Sequence, residues 1–93
     1  ISTDFNPGSC MSLNLHLMMT MAAVTCRMTI PETYNAVTIN AACSVDLQDR
    51  HGSLQAGKQA DIIILDCESP EMVPYHFGQN HVKHVFCNGR QTV

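Results

Sequence analysis

The chain has 93 residues, five Lys and Arg against eight Asp and Glu, a net charge of −3 at pH 7, 45% hydrophobic and 14% charged residues. That balance leaves no basic footprint for nucleic acid, and no run of about 18 apolar residues offers a membrane-spanning helix. A chain of this length suits one small domain with a marginal core, and it is too short for a (β/α)8 barrel, which needs roughly 250 residues.

The charged share lies below the roughly 25% of ordinary domains, which predicts a segment that buries surface against something outside it. The chain opens on Ile1 inside what reads as a strand, so a fragment, an internal segment or a processed chain is expected. Nothing at the start reads as a signal peptide. Five widely spaced cysteines (Cys10, Cys26, Cys43, Cys67, Cys87) with no C-x-x-C pair predict reduced, packed thiols in a cytoplasmic protein.

At the start, an apolar residue leads into Asp4, and Asn6-Pro7-Gly8 marks a turn before a helical pattern. That order predicts a carboxylate at the C-terminal end of a strand. Pro7-Gly8 fits a type II turn with Gly8 at positive φ. Two roles are open for each part of this loop. Asp4 is either a turn-forming aspartate or a hard oxygen ligand and base. Asn6, Gly8 and Ser9 either shape the bend or present backbone N–H groups and polar side chains to an anion, beside a helix start.

Leu13, Leu15, Leu17, Met18, Met21, Ala22 and Val24 predict a largely buried helix over 13–26, beginning near Ser12. Its methionines read as adaptable packing. Thr29-Ile30-Pro31-Glu32 is a capping box with Pro in the first turn, opening a helix that ends at about Asn35–Val37. Thr38–Val45 reads as a second helical segment with a small-residue face.

From Ser53 the period changes. Ile62–Leu65 predicts a buried strand, Ser69-Pro70-Glu71 a cap and a brief helix, and Asn88-Gly89 a hairpin between Val82–Cys87 and Gln91–Val93. Helices first and strands afterwards imply two sub-architectures, 1–51 and 52–93. Gly52-x4-Gly57-Lys58 has phosphate-loop spacing, but Gln59 replaces the Ser or Thr and a strand follows, so nucleotide binding is rejected. His81 and His84 are three apart in a strand pattern and make a poor ligand pair. The other histidines show no metal spacing, and Cys67 and Cys87 read as strand residues that pack.

The Asp4–Ser9 loop, Arg27-Met28-Thr29 with Pro31-Glu32, Thr38-Ile39-Asn40-Ala41-Ala42, Gly52–Leu65 and Phe77-Gly78 together resemble the C-terminal part of the amidohydrolase superfamily. Within it, the loop and the Phe-Gly are most similar to enzymes that open the ring of 4-imidazolone-5-propanoate to N-formimidoyl-L-glutamate in histidine degradation. The resemblance implies an α/β fold in which 1–51 closes a metal-dependent hydrolase barrel and 52–93 joins a composite β-sandwich. It implies that Asp4 is both a metal ligand for zinc or iron and catalytic, handling a proton of the attacking water. It implies that Asn6, Gly8 and Ser9 contact a small-molecule substrate, whose propionate suits the loop.

The partners so implied are the remainder of a parent chain and further copies in a homo-oligomer, with no nucleic acid and no membrane. The H-x-H pair and later metal histidine of such enzymes lie outside these residues. Two rivals stay open: a related deaminase or cyclic-amide hydrolase, and a small non-enzymatic binding domain.

Overall fold

Thr29 starts the second helix by the reciprocal bonding its sequence predicts. In the computed structural model, which describes residues 1–93, helix α2 spans Ile30–Val37. The Glu32 N–H donates to Thr29 Oγ1 at 3.4 Å, and the Thr29 N–H donates to Glu32 Oε2 at 2.7 Å. The Thr29 N–H, and after it the Thr29 hydroxyl donating to Glu32 Oε2 at 2.8 Å, hold the Glu32 carboxyl below its usual range. Helix α1 spans Leu15–Thr25 and is capped by Asn14, whose Oδ1 accepts from the Leu17 N–H at 3.1 Å. Ser12 does not cap it; its Oγ accepts from the Asn14 N–H, which moves the helix start past the predicted one. Arg27, at φ 56°, turns the chain out of α1. Helix α3 (Ile39–Cys43) follows α2 through Thr38.

The second half holds β1 (Ile62–Leu65), α4 (Met72–Tyr75), β2 (Val82–Cys87) and β3 (Arg90–Gln91). The strands form one antiparallel sheet in the order β1-β2-β3. Asn88 and Gly89 both take positive φ, 51° and 75°, as a two-residue hairpin loop of type I′ requires. Cys87 then pairs with Arg90. Ile62 pairs with Phe86 and Ile64 with His84, before the register shifts between Ile64 and Leu65.

Several contacts join the halves. Gly52, at φ 87°, passes so close to α3 that a Cβ there would lie 2.8 Å from the Ala42 Cβ and 2.9 Å from the Ile39 Cα. Asp61 accepts the Asn88 N–H at 2.8 Å through Oδ1 and meets His51 Nδ1 at 3.4 Å through Oδ2. Lys58 donates to the Gln48 carbonyl and to Ser53 Oγ, so its ammonium is held within its own loop, and β1 follows. That arrangement agrees with the rejection of a phosphate loop.

The core is small. Helix α1 packs on α2 and α4, and Met19, Thr33 and Val73 are fully buried. The Thr33 hydroxyl donates to Ile30 O at 2.7 Å, so it is not left unpaired. Thr20 Oγ1 donates to Pro74 O at 2.7 Å and ties α1 to α4. Yet only 8 of 93 residues are buried, far fewer than a self-sufficient core of this length supplies. No helix is long and apolar enough to cross a membrane.

Several expectations are corrected. The lead-in to Asp4 is not a strand, because a strand needs a hydrogen-bonding neighbour and the sheet holds only β1, β2 and β3. Ile62–Leu65 is a strand but is not buried: Ile63 is 56% exposed, because no second layer covers the sheet. The helix over Leu15–Thr25 is apolar on several faces but buries only Met19 and Ala22. Ser69 does not cap α4; Glu71 occupies the cap position without a side-chain bond. Cys67 lies beyond β1, and Cys26, Cys43 and Cys87 are exposed rather than packed; all five thiols are free.

Candidate functional site

Asp4, Asn6, Gly8 and Ser9 share one hydrogen-bonded loop, closed where the Asn6 N–H donates to Cys10 O at 2.8 Å. Asn6 organises it from within. The Gly8 and Ser9 N–H groups each donate to Asn6 Oδ1 at 2.8 Å. Asn6 Nδ2 donates to Asp4 O at 2.6 Å and to Ser9 Oγ at 3.1 Å. An asparagine side chain that captures N–H groups two and three residues on builds its own turn.

That internal turn replaces the type II geometry expected from Pro7-Gly8. Gly8 is not at positive φ; Asp4 is, at 48°. Gly8 matters sterically instead, since a Cβ there would lie 3.1 Å from Asn6 Oδ1. The N–H groups of Gly8 and Ser9 point inward to Asn6, not outward. Helix α1 begins later, at Leu15, so the loop does not itself form the helix N-terminus.

The Asp4 side chain is exposed and makes no hydrogen bond or ion pair within the chain. A free carboxylate suits one position in a metal's ligand set, since it is a hard oxygen donor with no competing partner. No group of three His, Cys, Asp or Glu side chains is placed to hold a metal ion. Within these residues Asp4 could therefore supply no more than one ligand of such a set.

A second polar neighbourhood was invisible in the sequence. His81, just before β2, is buried with its Nε2 unpartnered, and its ring centroid lies 6.1 Å from that of His76. His16 of α1 is held below its ordinary pKa by burial and then by His81. His16 also borders an open cleft of about 370 Å³ with Asn14, Gly78 and Gln79. His16 comes from α1, whereas His76 and His81 both lie in the connection between α4 and β2, so no local spacing announces the group. His84 is elsewhere, its Nδ1 3.1 Å from Gln91 Nε2, and it forms no pair with His81.

Residues 1–92 match the family model described as "Amidohydrolase family". The chain belongs to the amidohydrolase family. Members of this family generally bind a metal ion, and the helices with a three-stranded antiparallel sheet are consistent with a piece of an amidohydrolase domain. The chain is similar to the imidazolonepropionase of Alkaliphilus metalliredigens, 46% identical over all 93 residues. It is 48% identical to that of Fusobacterium nucleatum over 97% of its length, and 43% identical to that of Bacillus velezensis over 100%. It spans 22% of the length of each of these relatives.

Proposed function

We propose that residues 1–93 supply the C-terminal segment of a metal-dependent hydrolase that opens the ring of 4-imidazolone-5-propanoate to N-formimidoyl-L-glutamate in histidine degradation. The observation that carries this is the similarity to imidazolonepropionases along the entire chain. In the whole enzyme, meaning these residues joined to the remaining barrel, 1–51 closes the barrel and 52–93 joins a composite β-sandwich. The distribution of elements supports that division, with α1–α3 before Ser44 and every strand after Asp61. The free thiols suit a cytoplasmic enzyme, where cysteines stay reduced.

Asp4 and ligands outside these residues would hold a zinc or iron ion, which would supply Lewis acidity and lower the pKa of water toward about 7. Asp4 would be one of the residues holding that ion, and its carboxylate would take a proton of the attacking water. Water adds to the ring carbonyl carbon, the ring C–N bond breaks, and the proton passes to the departing nitrogen. Asn6, Gly8 and Ser9 form the substrate loop. The Ser9 hydroxyl is the group best able to turn toward the propionate, because its internal bond to Asn6 Oδ1 is long, at 3.3 Å.

Asp4→Asn in the whole enzyme tests this. The amide is a poor proton carrier and a weaker ligand, so most hydrolysis and metal retention should be lost while the fold persists. Near-normal turnover returns Asp4 to a turn-forming role.

A further inference from the structure

The Asn6 side chain has two N–H donors and two acceptor lone pairs, and the loop engages all of them. Its Oδ1 takes the N–H groups of Gly8 and Ser9, both at 2.8 Å; its Nδ2 gives to Ser9 Oγ at 3.1 Å and to Asp4 O at 2.6 Å. The bond to Asp4 is the shortest of these. Asp4 needs it, because φ 48° is a region that few L residues adopt, and the Asp4 carboxylate is tied to nothing in the chain.

We propose that Asn6 is a positioning residue for Asp4: by gripping the Asp4 carbonyl it fixes the left-handed backbone that carries the ligating carboxylate. This rests on the assignment of Asp4 as a metal ligand made above. Asn6 Oδ1 is anchored by two backbone N–H groups, so the carbonyl of Asp4 is held by a side chain that is itself fixed. Residues that orient a metal ligand through hydrogen bonds behave in this way at metal sites generally.

Asn6→Ala and Asn6→Asp in the whole enzyme separate the two ends of the side chain. Aspartate keeps an acceptor for the Gly8 and Ser9 N–H groups but cannot donate to Asp4 O. Both variants should lower kcat, and metal affinity measured by competition with a chelator, by about 10–100-fold, with the Tm of Asn6→Asp close to wild type. The added charge of aspartate would by itself raise affinity for a cation, so a fall reads the lost grip on Asp4. Wild-type kcat and metal affinity in Asn6→Asp would overturn the proposal, even if Asn6→Ala does not fold. A raised KM with unchanged metal affinity would also overturn it, showing a contact to substrate instead. Failure of the underlying assignment looks different: Asp4→Asn itself would then leave metal affinity unchanged.

Discussion

His16 on α1 comes within electrostatic reach of His81 at the head of β2, two imidazoles from distant parts of the chain and neither of them in an ion pair. Burial first, and then the neighbouring His81, hold His16 below its ordinary value of 6.5. The fold therefore prefers His16 neutral. The unfolded chain binds the proton more readily, so this contribution is complete above pH 6.5 and is lost as the pH falls through the lowered folded value. Glu32, Glu71 and Asp61 are depressed from 4.5, 4.5 and 3.8, so their contributions fade only at more acid pH and leave the histidine window clear. The measurement is an NMR titration of the ring in the whole enzyme. We expect a midpoint below 6.5 that moves part of the way back in His81→Gln. A wild-type midpoint at or above 6.5 contradicts this.

Features that depend on a few neighbouring residues were legible from sequence. Thr29 with Glu32 and Asn88 with Gly89 carry their own bonding and dihedral requirements, and they form as expected. Features that depend on a partner outside the chain were not. The lead-in to Asp4 has a strand-like pattern but no neighbouring strand, and Ile63 has a core residue's chemistry but no covering layer. At the loop, sequence singled out Asp4, Asn6, Gly8 and Ser9, yet it could not show that Asn6 Oδ1 captures two N–H groups and so removes the need for positive φ at Gly8. His16 and His81 come within electrostatic reach of each other only through tertiary packing, which no local period encodes.

Ser9→Ala tests the substrate side of the loop in the whole enzyme. The Ser9 N–H is already bonded to Asn6 Oδ1, so the hydroxyl is the part of Ser9 left to recognise an anion. Losing a hydrogen bond to a carboxylate costs about 1.5–3 kcal/mol. Binding of substrate should weaken by that amount, and binding of an analogue without the propionate should barely change. Equal losses for both compounds would place the contact elsewhere.

Gly52 and Gly57 separate backbone strain from packing. Both sit at positive φ, 87° and 91°, but a Cβ at Gly57 meets nothing within 4 Å, whereas at Gly52 it would overlap Ala42 and Ile39. Gly57→Ala should cost only the left-handed penalty, roughly 1–2 kcal/mol. Gly52→Ala adds overpacking against α3, about 1–3 kcal/mol more. Thermal melts of the two variants compare them directly. Similar losses would mean that the segment carrying Gly52 moves off α3 at little cost.

The 93-residue chain by itself should lack imidazolonepropionase activity and should associate. It offers Asp4 as a candidate ligand but no set of three metal-binding side chains, and catalytic zinc sites ordinarily use three protein ligands. Its uncovered apolar surface is extensive, with Leu13 and Val24 each 74% exposed. β1, at the sheet edge, adds Ile63 and Ile64 with unpaired backbone beside them. Such surfaces drive association. Turnover is measured with added zinc or iron, and the state of assembly by sedimentation. A soluble, active monomer would sink the proposal that these residues are one part of a larger active site. A soluble, inactive monomer with a cooperative melt would leave the family membership intact and point instead to an independently folding binding domain.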